Sequence, residues 1–229
     1  MSPVAECDLA TYYDHAAGDP DKLSLLRGFF GCLANALRYL HGTARVRHRD
    51  IKPRNILVRG DRVLLADFGV AFSWEALTRS TTTADSAKTL VYAAPEVARV
   101  EPRNESADVW SLGCVFLEAA VVLRGGTVAG LRADFHAHSG SHAFHDNAEG
   151  VASLVARLRG SGSQDLVVLD WVEGMLRHAP GARPTAAALF DDIVEATRRC
   201  NVVFCGPCCD DDATSSTTDG ECDGHLWEE

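Results

Sequence analysis

His48-Arg49-Asp50-Ile51-Lys52-Pro53-Arg54-Asn55 stands directly ahead of two short apolar runs, Ile56-Leu57-Val58 and Val63-Leu64-Leu65, and Asp67-Phe68-Gly69 stands directly behind them. Arg59-Gly60-Asp61-Arg62 separates the runs and reads as the turn of a β-hairpin. A hairpin of this length returns the chain on itself, so Asn55 and Asp67 are expected side by side at its open end. An amide oxygen and a carboxylate there suit Mg²⁺, which takes a few protein oxygens together with waters and phosphate oxygens. Asp50 is close enough in sequence to reach the same place, where it can accept a proton from a hydroxyl nucleophile or orient it. Lys52 adds positive charge for a transferring phosphoryl group.

Outward from this stretch the chain reads as mainly helical. Asp19-Pro20 is an N-cap followed by proline at the first helical position. Leu23, Leu26, Phe29 or Phe30, Leu33, Leu37 and Leu40 then recur at helical spacing up to Gly42, predicting one long amphipathic helix with a single buried stripe. Glu105–Arg124 is apolar on almost every side and belongs in the middle of a domain. Residues 73–89, rich in Ser and Thr, and residues 125–147, bearing Gly and His, read as loops. Further helices are expected at about 148–159, 165–178 and 185–199. With no β-α-β alternation, no parallel sheet is expected.

The chain has 229 residues, 46% of them apolar, with 22 basic and 32 acidic side chains. This excludes a collagen, a wholly disordered chain and a disulfide-dense miniprotein. The longest apolar run, near Leu117–Leu123, is short of a membrane span, so no transmembrane segment is expected. No basic region followed by an apolar stretch opens the sequence, and an intracellular location, cytoplasmic or nuclear, is expected. Of the net charge of −10, eight acids lie after Cys200 with no Lys or Arg beside them, leaving the body at −2. That balance offers no basic face to a nucleic acid. Residues 200–229 are expected to be a disordered acidic, Cys-bearing tail. Its Cys205-Gly206-Pro207-Cys208-Cys209 lacks the second cysteine pair of a strong zinc site, and Asp210–Asp212 disfavours a lipid anchor at an anionic leaflet. Cys7, Cys32 and Cys114 read as buried thiols, and His136, His138, His142 and His145 as loop surface.

The same residues resemble the eukaryotic protein kinases. His48-Arg49-Asp50 with Asn55 matches the catalytic loop, Asp67-Phe68-Gly69 the metal-binding motif and Ala94-Pro95-Glu96 the end of the activation segment. Asp108-Val109-Trp110-Ser111-Leu112-Gly113 in the apolar helix and Arg183-Pro184 before the last helix extend the match over residues 1–199. The resemblance implies a kinase-like C-terminal lobe, mainly α with a small hairpin at the cleft. It implies ATP and Mg²⁺ as cofactors and a protein with a Ser or Thr acceptor as substrate. It further implies Asp50 as base, Asn55 and Asp67 as metal ligands, and Lys52 at the γ-phosphate, as in serine/threonine kinases. Thr89 matches the threonine that pairs with Asp50 and Lys52, with Lys88 where the family usually has Gly. Glu96 is implied to pair with Arg183, Asp108 to hold the catalytic loop's backbone, and His48 to stack on Phe68. Arg49 is implied to pair with a phosphate on Thr78, Ser80, Thr81, Thr82, Thr83 or Ser86.

The sequence contains no Gly-x-Gly-x-x-Gly and no Val-Ala-x-Lys strand ahead of the catalytic loop. Met1–Leu9 resembles the segment joining the two kinase lobes, which implies Val4 at the adenine, Asp8 at the ribose and Leu57 as the floor under the base. The expectation is therefore a hinge and C-terminal lobe, a truncated form that binds ATP weakly. The alternative is a non-catalytic, pseudokinase-like binding module on the same lobe.

Overall fold

Asp19 opens the long helix as expected, accepting from Asp21 N at 3.1 Å and Lys22 N at 3.2 Å with Pro20 behind it. The computed structural model describes residues 5–70, 72–73, 90–102, 104–160, 166–200 and 202–209. Among them are strand β1 (Cys7–Asp8), helices α1 (Leu9–Ala16) and α2 (Pro20–Gly42), strands β2 (Val46–Arg47), β3 (Ile56–Arg59), β4 (Arg62–Leu65) and β5 (Phe72–Ser73). Helices α3 (Pro95–Ala98), α4 (Ser106–Leu123), α5 (Val128–Ser139), α6 (Ala148–Arg159), α7 (Leu166–Met175) and α8 (Ala186–Cys200) follow. The fold is mainly α with a small antiparallel sheet, as the sequence implied.

The hairpin is β3–β4, paired Ile56↔Leu65 through Arg59↔Arg62, and β1 adds a third strand with Asp8 opposite Leu57. Ile56, Val58 and Val63 point into the lobe and are buried, whereas Leu57 and Leu64 share the outer face. A separate two-stranded ladder pairs β2 with β5, setting Arg47 opposite Phe72.

Helix α4 is the axis of the core. Long and apolar enough by length and composition to cross a membrane, it is instead 89% buried inside the protein. Its Gly113 lies where a methyl group would stand 2.8 Å from Met175 Cβ, so α7 crosses at a distance that only glycine permits. Phe30 on α2 meets Phe116 on α4 edge to face, centroids 4.7 Å apart.

Four features change or add to what the sequence led one to expect. Residues 9–16 form a helix capped by Asp8 Oδ1, which accepts from Thr11 N at 2.8 Å. Within the expected 125–147 loop, Val128–Ser139 is helical, started by Thr127 and stopped by Gly140 in the left-handed conformation. Leu131 and Phe135 are buried and Val128 packs against the same core, a short i, i+3, i+7 series set among Gly130, His136 and His138. Helix α2 is buried on more than one side, since every residue from Gly28 to Ala34 is buried.

The cause is the fourth change: residues 202–209, expected to be disordered, cross α2 as a packed strap. Phe204 is fully buried, edge to face with Trp171 at 5.2 Å. Its carbonyl accepts from Gly31 N at 2.7 Å, and its own N–H reaches Thr197 Oγ1 at 3.4 Å. A methyl group on Gly31 would stand 2.7 Å from that carbonyl and 2.6 Å from Cys205 Sγ, so the strap needs glycine there. The ordered unit therefore runs past residue 199, because the apolar stretch Val202–Cys209 buries Val202 and Phe204 before the acidic residues begin. Residues 210–229 lie outside the described residues. Phe204→Ala is expected to lower the unfolding free energy by about 3–5 kcal/mol, read by urea denaturation as a lower midpoint at unchanged slope.

Candidate active site

The polar site is assembled at the open end of the β3–β4 hairpin. Asn55 O accepts from Ala66 N at 2.9 Å, closing the end and bringing Asn55 and Asp67 to adjoining positions. Asn55 Nδ2 donates to Asp50 O and to Asp50 Oδ2, both at 2.9 Å. Those bonds commit the amide's hydrogens to the catalytic loop and turn its oxygen into the available acceptor. Asp50 Oδ2 also accepts from Lys52 Nζ at 2.6 Å, so Asp50, Lys52 and Asn55 form one hydrogen-bonded group. Asp67 is exposed and takes φ +62, and Gly69 N lies 3.4 Å from its Oδ1.

The loop that carries Asp50 is held from below by α4. Asp108 Oδ2 accepts from His48 N at 2.8 Å and contacts His41 Nε2 at 3.0 Å, while Oδ1 accepts from Arg49 N at 2.8 Å. Arg49 sits at φ +70, a left-handed conformation costly for a residue with a Cβ. The bond to Asp108 holds it there. His48 is fully buried; its Nε2 donates to Ala66 O at 3.0 Å, which leaves Nδ1 to accept from Asp50 N at 3.4 Å. The ring also packs against Phe68, centroids 4.8 Å apart. One histidine thus ties the Asp50 loop to the strand that delivers Asp67.

Two more buried acids fix the surroundings. Glu96 receives both arms of the Arg183 guanidinium, at 2.7 and 2.8 Å, the pair the sequence implied. Burial alone would raise the Glu96 carboxyl, but the Arg183 hydrogen bonds outweigh it and hold it below the usual range. Glu118, an acid inside the apolar helix, accepts from Tyr92 Oη at 3.0 Å and pairs with Arg132. Ser111 Oγ donates to Tyr92 O at 2.9 Å. Together these fasten Leu90–Ala94 onto α4. Sequence reasoning missed this group, although an acid in an otherwise apolar helix is the signal that marks it.

The implied nucleotide contacts are partly placed. Leu57 is half-buried on the outer sheet face, opposite Asp8 on one side and Leu64 on the other. Leu64 and Phe68 are 44% and 45% exposed, leaving an apolar surface beside the polar group. Val4, Thr89 and the Ser/Thr residues from Thr78 to Ser86 lie outside the described residues. Asn55 and Asp67 offer one neutral and one charged oxygen donor, a set that fits Mg²⁺ bound mainly by phosphate and water. No cluster of three His, Cys, Asp or Glu poised for a metal occurs among the described residues. His136 and His138 lie on α5, and the rings of His136 and His142 stack at 4.9 Å.

The protein kinase domain model matches residues 19–193, more than half of the sequence. The chain belongs to the eukaryotic protein kinase family. It is 40% identical over 91 residues to human serine/threonine-protein kinase Nek10, covering 39% of this chain and 8% of that relative. Against Mus musculus serine/threonine-protein kinase 36 it is 43% identical over 91 residues, covering 39% and 7%. Against cell division control protein 2 homolog 1 of Trypanosoma brucei brucei it is 35% identical over 126 residues, covering 53% and 40%. The first two of these relatives are serine/threonine-protein kinases. The chain spans less than a tenth of the length of the first two and two-fifths of the third.

Burial pushes the Glu118 carboxyl up to about 7 from an ordinary 4.5, against the Arg132 charge and the hydrogen bonds from Tyr92 and Arg132. A carboxyl raised in this way holds its proton more tightly when folded. Its stabilising contribution is fully present below the unfolded value and is lost as pH rises through the folded one. Urea midpoints are therefore expected to fall between about pH 5 and pH 7 more steeply in the native protein than in Glu118→Gln.

Proposed function

We propose that this chain carries the catalytic loop of a serine/threonine protein kinase and takes part in phosphoryl transfer from ATP to a Ser or Thr hydroxyl of a protein. The observation that carries the reading is the single hydrogen-bonded group of Asp50, Lys52 and Asn55, with Asp67 delivered beside it by the hairpin. Asp50 has one oxygen occupied by Lys52 and Asn55, and its Oδ1 is the atom that accepts the proton of the attacking hydroxyl. Lys52 places positive charge next to that oxygen, where negative charge accumulates on the transferring group. Asn55 Oδ1 and the Asp67 carboxylate would hold Mg²⁺, which supplies charge neutralisation at the phosphates. Leu57 would lie under the adenine with Asp8 near the ribose. Val4 and Thr89 are assigned to the adenine and to the Asp50–Lys52 pair by family resemblance. An intracellular site, cytoplasmic or nuclear, suits a protein that uses ATP.

The apolar surface of Leu64 and Phe68 is open to water in this chain, which supports weak nucleotide binding by the chain alone. Calorimetry of the purified chain is expected to give Mg-ATP affinity weaker than micromolar, and Asp67→Ala to abolish its Mg²⁺-dependent part. In single-turnover assays with a Ser/Thr peptide, Asp50→Asn is expected to slow transfer by about 10²-fold or more without changing nucleotide affinity. Nucleotide binding that ignores both Mg²⁺ and Asp67 would sink the proposal and favour a non-catalytic binding module.

A further inference from the structure

The strap at 202–209 brings two thiols to one crossing point outside the candidate active site. Where it passes over α2, a methyl group on Gly31 would stand 3.1 Å from Cys205 Cα and 2.6 Å from Cys205 Sγ. One residue further along each segment, a methyl group on Gly206 would stand 2.7 Å from Cys32 Sγ. Each sulfur therefore lies against the glycine that adjoins the other cysteine, with the two backbones in contact between them. The cysteines differ in access. Cys32 is buried within α2, whereas Cys205 is partly exposed on the strap, and both are thiols rather than disulfide-bonded. An accessible thiol beside a buried one is the pairing of an attacking and a resolving cysteine. Whatever contact an S–H group makes is weak and gives way when its sulfur forms a covalent bond.

We propose that Cys32 and Cys205 form a reversible disulfide that locks the strap onto α2, with a hydroperoxide as the oxidant. The Cys205 thiolate attacks a peroxide oxygen. An S–O bond forms, the O–O bond breaks, and the departing hydroxide takes up the proton that Cys205 shed, giving a sulfenic acid and water. The Cys32 sulfur then attacks the Cys205 sulfur. The S–S bond forms, the S–O bond breaks, and the second hydroxide leaves as water with the Cys32 proton. Two thiols are oxidised and one peroxide is reduced, and a thiol reductant reverses the bond. Closing it takes a turn of both side chains about their Cα–Cβ bonds, because each sulfur now lies beside the other cysteine's neighbour. The strap also passes the hairpin turn, where a methyl group on Gly206 would stand 3.4 Å from Asp61 O. A locked strap therefore braces the turn of the hairpin whose open end carries Asn55 and Asp67. Neither cysteine belongs to the candidate active site, so the bridge is measured without catalysis and stands or falls apart from the kinase reading.

The test treats the full chain, fully reduced, with hydrogen peroxide in small molar excess, alkylates the remaining thiols and digests with trypsin without reduction. Cys32 then falls in the peptide 28–38, and Cys205 in the peptide 200–229 together with Cys200, Cys208, Cys209 and Cys222. Mass spectrometry is expected to find a crosslink between these two peptides that dithiothreitol removes. It should be lost in Cys32→Ala and in Cys205→Ser, and kept in Cys208→Ser and Cys209→Ser. Oxidation is expected to raise the urea midpoint of the native chain and to leave that of Cys205→Ser unchanged. Gly31→Ala, whose methyl group would push the strap off α2, is expected to cut the crosslink yield while keeping both thiols, and serves where Cys32→Ala folds poorly. A crosslink that survives Cys205→Ser, bridges confined to the peptide 200–229, or an undiminished yield in Gly31→Ala would overturn the proposal. So would oxidation to sulfinic acid with no bridge, or a bridge that lowers the urea midpoint.

Discussion

The carboxylate of Asp108 is the contact on which the site depends. It is buried in the apolar helix α4, where an ionised group is tolerated only if its lone pairs are filled. They are filled by two consecutive backbone amides of the catalytic loop and by one histidine ring. The arrangement works in both directions. The amides pay for the buried charge, and the buried charge holds Arg49 in a left-handed conformation that the loop needs to swing Asp50 outward. His48 then transmits that position across to Ala66, next to Asp67. The relative placement of base and metal-side carboxylate thus follows from one acid on α4.

The other buried acids repeat the device on different segments. Glu96 grips Arg183 and so joins the turn before α8 to α3, whereas Glu118 grips Arg132 and Tyr92 and so joins α5 to the Leu90–Ala94 segment. Buried ion pairs are a weak source of net stability compared with apolar packing, but breaking one leaves an uncompensated charge. Their use here fits positioning better than stability. Each lies where an irregular segment, which has few apolar anchors of its own, must be registered against the α2–α4 core.

Legibility in the sequence followed the range of the interaction. The hairpin, α2 and α4 were readable because turn residues, the Asp19-Pro20 cap and apolar periodicity are local signals. Asn55 and Asp67 were expected as neighbours because the hairpin brings its two ends together, and Asp50 was expected near Asn55 because it lies five residues before it. The Glu96–Arg183 pair joins residues far apart in the chain, and only family resemblance suggested it. Helix α5 was overlooked because its series of Val128, Leu131 and Phe135 covers only two turns among glycine and histidine. The strap at 202–209 was hidden for a different reason. Its apolar residues were read together with the acidic, Ser- and Thr-rich residues that follow them, and its order comes from Phe204 meeting Trp171 and a glycine on α2 far away in the sequence.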